Sequence, residues 1–236
     1  LIPSEDGMLK NLCAISLSGL LFLLPFSKGF AAELAGEVVR VKGEVTAVRA
    51  DGAKDSLEKK SKVYVGDKIK TGGDGQTLIQ LKDQSRLIVR KDSEVEITAF
   101  QYEKKDTDKV ETSLISGALR AVSGKIAKGN PASSKYSAGT ATIGIRGTDI
   151  EIAFIGDGQK DRAGIYNYVH DGATNMKLAS GEEADIAKEK SGFVPKDLKP
   201  GEARLQVLDT RPAFIQGTGF DTLIQQLTNP RLPSFR

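Results

Sequence analysis

Arg146 is the polar residue with the clearest candidate chemistry, because glycines at positions 144 and 147 leave space around its side chain. A guanidinium in such a place can bind a ligand carboxylate through two parallel hydrogen bonds. The same residue also suits a structural role, in which Asp149 or a backbone carbonyl holds the guanidinium and fixes a turn. We expect the structural role and keep ligand contact as the alternative.

Three threonines near this arginine form a second candidate group: Thr140, Thr142 and Thr148. In strands their hydroxyls can pair across neighbouring chains in a ladder, or they can form a flat surface on which a partner docks. We favour the ladder, which is a structural role, and keep docking as the alternative.

A third candidate group lies in the Ile-Tyr-Asn-Tyr-Val-His stretch that ends at His170. A strand there places Tyr166, Tyr168 and His170 on one face, because side chains alternate along a strand. Tyrosine is common in binding patches, but strands of sandwiches also pack tyrosine into their own core. We favour core packing and keep a docking surface as the alternative.

Residues for catalysis and metal binding are scarce, with one His and one Cys in 236 residues. A lone histidine without cysteines makes a poor metal site. Asp157, Gly158 and Asp161 resemble a fragment of a calcium loop, but the full twelve-residue pattern and its final Glu are missing. We therefore expect no catalytic, metal or cofactor site. A carboxylate-pair hydrolase is the weakest of the three function classes considered, because no Asp or Glu spacing selects a pair.

The charge balance gives no support for nucleic acid as a partner. The chain has 34 Lys and Arg against 31 Asp and Glu, a net charge of +3. A net charge this close to neutral does not by itself indicate a surface that binds phosphates. Hydrophobic residues at 39% and charged residues at 28% are typical of a globular protein.

The elements that must position these residues are predicted to be strands. Apolar and polar residues alternate, or β-branched residues cluster, in seven segments: 39–41, 78–81, 87–89, 95–97, 119–122, 150–154 and 205–207. Gly- and Asp-rich turn signals separate them at intervals typical of all-β proteins. The sequence predicts an all-β fold, a coiled or sandwich-like sheet of many short strands, similar to a β-solenoid or jelly roll.

Three segments depart from this pattern. The polar stretch 53–62 is predicted to be a loop, and 101–109 is predicted to connect two strands. Asp221–Leu227 has an acidic cap candidate, apolar residues at helical spacing and a following Pro230, so it predicts one short C-terminal helix.

The N-terminal region has the features of a signal peptide. Lys10 precedes an apolar run at 12–26, and Gly29-Phe30-Ala31 offers small residues for cleavage after Ala31. An uncleaved anchor is the alternative, although the run is shorter than the roughly 20 residues of a membrane span. Met8 is the better initiator, so residues 1–7 are expected to be untranslated. The expected division is 1–31 signal peptide, 32–62 N-terminal strands and loop, 63–186 core domain, and 187–236 extension.

Five ordered blocks resemble a known family. Thr140–Asp149, TATIGIRGTD, is similar to the signature of the FecR-like domain, where a strand runs into an Arg-Gly-Thr turn. The other blocks that resemble the family are 65–72, 76–89, 114–120 and 169–184. Gln84 departs from the family pattern, which has glycine in the Asp-Gly-Ser turn. The resemblance spans about residues 63–186.

The resemblance implies an exported all-β domain, periplasmic or secreted, and makes residues of the signature motif candidates for binding a partner: Thr140, Thr142, Ile143, Gly144, Arg146, Gly147 and Thr148. Regulators of this family couple an outer-membrane transducer to a cytoplasmic sigma factor. Only residues 1–11 precede the apolar run, so we expect a stand-alone form without the anti-sigma segment and without a stable membrane span after cleavage. Loss of sequence upstream of Leu1 is the alternative. The expected function is non-enzymatic binding of another envelope protein in signalling or assembly, with no indicated oligomeric state. A secreted structural or cell-surface protein, with possible glycan binding, is the alternative.

Overall fold

A curled β-sheet dominates the computed structural model, which describes residues 32–215 and 221–222. The strands are β1 (Leu34–Lys42), β2 (Val45–Val48), β3 (Lys54–Ser56), β4 (Lys62–Tyr64), β5 (Lys68–Thr71), β6 (Gln76–Leu81), β7 (Arg86–Val89), β8 (Glu94–Gln101), β9 (Lys109–Ser116), β10 (Ala118–Val122), β11 (Ser134–Ala138), β12 (Ala141–Ile155), β13 (Gly164–Leu178), β14 (Glu183–Ala187), β15 (Ser191–Pro195) and β16 (Gln206–Leu208). A short helix, α1 (Lys125–Gly129), and a 3₁₀ turn at Pro131–Ser133 lie between β10 and β11. The predicted all-β class is confirmed.

The strand order shows how the sheet curls. It runs β3-β2-β5-β8-β9-β11-β12-β10-β7-β6-β1-β4, and β13 branches from β12 to carry β14, β15 and, beyond β15, β16. Pairing is antiparallel except between β9 and β11. β1 and β2 stand near opposite ends of this order, yet only Gly43 and Glu44 separate them in the chain. The two ends of the sheet must therefore lie side by side, and the sheet encloses its inner face.

The enclosed face forms the main hydrophobic core. Alternate side chains of nearly every strand are fully buried there, and Ile69, Leu87, Ile97, Ile143 and Ile152 have no exposed surface. Burial of each such side chain stabilises the fold by about 1.5–3 kcal/mol. The two-residue alternation of the sequence thus places one face of each strand inside and leaves the other, outer face free for other contacts.

A β-bulge interrupts the long hairpin of β12 and β13. The pairing register shifts between Arg146 and Asp149, where Gly147 has φ +63°. Across from it, a Cβ on Gly172 would lie 2.8 Å from the Gly147 carbonyl oxygen, so the close approach requires glycine. The turn expected at Arg-Gly-Thr is wrong, because β12 continues through these residues. Asp171-Gly172, one of the Gly- and Asp-rich turn signals in the sequence, likewise lies within the continuous strand β13. Glycine supplies the same positive φ in a bulge as in a turn.

Residues 81–85 form a tight hairpin turn between β6 and β7. The Gln84 N–H donates to the Leu81 carbonyl at 2.9 Å, and Leu81 N–H donates to Ser85 at 2.9 Å. Gln84 has φ +72°, a conformation that favours glycine. The buried Asp83 carboxylate accepts from the Ser85 N–H at 3.0 Å and from the Ser85 hydroxyl at 2.6 Å. The hairpin therefore forms with a strained residue at its tip.

Two further expectations need correction. Lys54–Ser56, inside the expected loop, forms the edge strand β3, because backbone pairing with β2 requires no apolar side chain. Helix α1 was not expected.

Two predicted segments lie wholly or mostly outside the described residues. Asp221 and Thr222 are helical, and the remainder of the helix predicted over 221–227 lies outside the described residues, as does the signal peptide predicted over 1–31. Within the described ranges, no helix is long and apolar enough to cross a membrane.

Candidate functional site

The outer face of the β12–β13 hairpin is divided by the bulge. Before the bulge, Thr142 and Arg146 are exposed and Gly144 is half-buried. After it, Glu151 and Ala153 on the same face are buried. We call the first part, with its neighbours on β11, β13 and β14, the open half, and the second part the covered half.

The open half extends over four strands in register. Lys135, Gly144, Asn175 and Asp185 stand side by side on β11, β12, β13 and β14. Asn175 Nδ2 donates to Asp185 Oδ1 at 3.0 Å. In the adjacent row, exposed Lys177 and Glu183 form an ion pair at 3.6 Å. The result is a broad polar surface.

Arg146 lies on this surface with its guanidinium in solvent. It makes no hydrogen bond or ion pair with any residue of the described ranges. The expected contact with Asp149 is not formed, because Asp149 accepts two hydrogen bonds from Arg120 at 2.9 and 2.7 Å. The bulge is the reason: it resets the register, so Asp149 stands opposite Val122 on β10, beside Arg120.

Gly144 leaves bare backbone in the open half. A Cβ at this position would meet, among described atoms, the Asn175 carbonyl oxygen at 3.8 Å, an ordinary contact. Its φ is outside the left-handed region, in contrast to Gly147. Neither space nor backbone conformation therefore requires glycine at position 144.

The three threonines do not share one surface. Thr140 and Thr142 are exposed, whereas Thr148 is 3% exposed in the bulge. The Thr148 hydroxyl has no hydrogen-bond partner among the described residues. A single hydroxyl ladder is thus not formed. Ile143, the apolar member of the signature motif, lies in the main core.

The covered half contains a buried ion network. Arg90 binds both carboxylate oxygens of Asp221 at 2.8 Å and donates from Nε to Glu151 at 2.9 Å. Arg120 donates to Asp221 at 2.6 Å, besides its pair with Asp149. Arg90, Arg120, Glu151 and Asp221 are each less than 10% exposed. Such a network is expected to be costly to break, because a lost partner leaves a buried charge.

The aromatic candidates lie in the covered half and contact the protein's own chain. Tyr166 is 4% exposed, with its ring stacked on Phe193 at 4.5 Å and edge-on to Phe214 at 5.5 Å. Tyr168 is 5% exposed and meets the His170 ring edge-on at 4.9 Å. Burial raises the pKa of Tyr166, as does the charge of Asp161. The structure gives these rings internal partners rather than a free surface.

Charged residues that hold the C-terminal extension had no role in the sequence-based predictions. Asp161, from the segment that resembles part of a calcium loop but was not expected to bind metal, accepts hydrogen bonds from the backbone N–H groups of Ala213 and Phe214, both at 2.8 Å. Asp157 pairs instead with Lys196. The sequence did contain one signal for the buried ion network: Arg120 and Glu151 are charged residues within otherwise apolar strand segments. Opposite charges in two strands are consistent with a cross-strand ion pair.

A groove of about 650 Å³ adjoins the covered half. Arg90 and Glu151 line one part of it, and Ala153, Ile155 and Phe214 supply apolar surface. Within the described ranges, no three His, Cys, Asp or Glu side chains are arranged to hold a metal ion. The candidate site consists of two surfaces, one open and one covered.

Comparisons with known proteins address the family. Comparison with curated proteins gives no match. Among solved structures, a cell surface anchoring domain is 26% identical, with 27% of this chain and 84% of that domain covered and a TM-score of 0.27. Two crystal structures of a proposed anti-sigma factor from Parabacteroides distasonis ATCC 8503 are 13% and 14% identical. Each alignment covers 68% of this chain and 72% of the anti-sigma factor chain, with a TM-score of 0.45.

The family profile described as FecR protein matches residues 67–182. The matched range contains the hairpin at 76–89, the signature strand β12 and the whole of β13, so it agrees with the blocks identified in the sequence. The part of the chain over residues 67–182 is therefore a FecR domain.

Proposed function

We propose that this protein is a non-enzymatic exported module whose open half binds another envelope protein. The observation that carries the proposal is the contrast between the two halves of one face of the FecR domain. The covered half is sealed by the protein's own side chains, whereas the open half keeps Arg146 in solvent beside the bare backbone of Gly144.

The charges of the open half favour an acidic partner. Arg146 and Lys135 form no ion pair with any described residue, whereas Lys177 is neutralised by Glu183. The exposed Asp185 accepts a hydrogen bond from Asn175, so these three cations face two carboxylates and leave a small positive excess. A planar guanidinium can bind a carboxylate through two hydrogen bonds, which gives orientation as well as attraction. The absence of a side chain at position 144 lets a partner approach the sheet closely. The expected partner therefore presents a flat surface with at least one carboxylate.

The alternative, a structural or glycan-binding surface protein, has less support. Glycan binding commonly uses exposed aromatic rings, and Tyr136, Tyr166 and Tyr168 are at most 5% exposed. Within the described ranges, Tyr64 and Tyr102 are only half-exposed. Wall material recovered in place of a protein would favour this alternative.

The test is affinity capture of the tagged chain from solubilised native envelopes, with bound proteins quantified by mass spectrometry. Arg146→Glu reverses the charge that we assign to partner binding, and Lys59→Glu makes the same change at an exposed turn away from the hairpin. We expect at least one envelope protein to fall about tenfold in capture by Arg146→Glu and to stay constant for Lys59→Glu. Equal capture by both variants would remove the proposal.

Export is tested separately on the full chain. Signal cleavage after Ala31 predicts a processed protein whose N-terminal residue is Ala32, released with the periplasm or medium. N-terminal sequencing of the fractionated protein measures this directly. An unprocessed chain in the cytoplasmic fraction would contradict the exported role.

A further inference from the structure

The C-terminal extension crosses the outer face of the sheet in a definite direction. It first meets β13, where the Arg211 guanidinium lies 6.0 Å from the Tyr168 ring and Phe214 contacts Tyr166. It then reaches β10 and the end of β7, where Asp221 binds Arg120 and Arg90. In the strand order, β6 and β1 come next.

An apolar cluster lies at this next position. Leu78 on β6 and Ile88 on β7 stand in register and have no exposed surface, yet they form a cluster separate from the main core. Among the described residues, the partly buried apolar side chains that pack against this cluster are Val39 and Val122, and both come from the same sheet. A flat apolar patch on one sheet requires a second layer to shield it from water. Ile88 stands opposite Arg120, so the patch begins beside the Asp221 site.

We propose that the chain's own residues 223–236 dock on this patch, with Asp221 locked between Arg90 and Arg120 as the anchor. The anchor fixes where the segment starts, and Asp221 and Thr222 are already helical. Leu223, Ile224 and Leu227 follow at spacings that place them on one side of a helix. The apolar patch beside the covered half is therefore a docking surface for a helix that begins with a carboxylate, and its occupant is this chain.

The experiment cleaves the folded full-length protein within residues 216–219, at a protease site introduced in place of Gln-Gly-Thr-Gly. Gel filtration with mass spectrometry then measures how much of the 220–236 fragment stays bound. The same cleavage is applied to Asp221→Asn and Leu223→Asp. Asp209→Asn is the matched control, because Asp209 pairs only with the exposed Lys190 among the described residues.

We expect the wild-type and Asp209→Asn fragments to be retained, and the other two variants to lose their fragment at least tenfold faster. Immediate loss of the wild-type fragment would overturn the proposal, and this result requires no variant to fold. The proposal would also be overturned if the Asp221→Asn and Leu223→Asp fragments stay bound as long as the wild-type fragment. Retention only in a dimer, with labelled and unlabelled chains exchanging fragments, would assign the occupant to a second copy and contradict docking within one chain.

Discussion

Replacement of Gln84 by glycine is expected to stabilise the protein. Gln84 has φ +72° at the tip of the β6–β7 turn, and its side chain is exposed. A left-handed conformation costs a residue with a Cβ about 1–2 kcal/mol. Glycine removes that cost but loses about 0.5–1 kcal/mol more conformational entropy on folding. The net gain in unfolding free energy is therefore about 1 kcal/mol, because the exposed side chain contributes little.

The assay is equilibrium urea unfolding together with thermal unfolding of the wild type and the variant. For a chain of this size, about 1 kcal/mol corresponds to a Tm increase of about 2–4 °C. The urea midpoint should rise with an unchanged slope, since the buried surface is the same. The Gln84 N–H bond to Leu81 is retained in the variant, so the turn type should not change.

Lys82→Gly is the matched control in the same turn. Lys82 is also exposed, but its φ is not positive, so glycine there gains no relief of strain. We expect this variant to lose about 0.5–1 kcal/mol. If Gln84→Gly loses as much as Lys82→Gly, the argument from backbone strain is refuted.

Three further predictions concern the two halves of the outer face and the loop beside it. Glu151→Gln should lower the unfolding free energy by about 3 kcal/mol in urea unfolding, because it removes a buried partner of Arg90. An unchanged midpoint would contradict the network. Gly144→Thr should leave the Tm within about 2 °C but reduce partner capture, since a Cβ there has room; a large loss of Tm would show that glycine is structural. The Arg162 hydrogen bond lowers the pKa of Glu202. The contribution of this hydrogen bond to the free energy of unfolding is therefore complete above the unfolded-state pKa of glutamate, about 4.3. The contribution is lost as the pH falls through the lower pKa of the folded state. The Tm difference between wild type and Glu202→Gln should shrink on acidification; a growing difference would reverse the sign.

The strands were predictable because their signal is local. Alternation with a period of two places Ile143, Ile145 and Ile152 inside without knowledge of any partner strand. The bulge was not predictable in this way. Gly147 can serve a turn or a bulge, and the choice depends on Gly172, which approaches it from the next strand.

The covered half depends on contacts that no local pattern reports. Arg90 and Asp221 are 131 residues apart in the chain, and their bidentate bond requires the C-terminal extension to cross the sheet first. Tyr166 likewise depends on a contact from far along the chain. Its position in the strand favoured core packing but gave no indication of the partner, and only the folded chain shows that the ring of Phe214 lies against it.

We propose that the protein partner binds at the open half and not on the surface in general. A photo-crosslinking residue placed at Thr142 or at Lys59, in the full chain within its native envelope, distinguishes these two cases. We expect a discrete protein adduct from position 142 that is lost when Arg146→Glu is added, and no such adduct from position 59. Equal adducts at both positions, or an adduct at 142 that Arg146→Glu leaves unchanged, would contradict it.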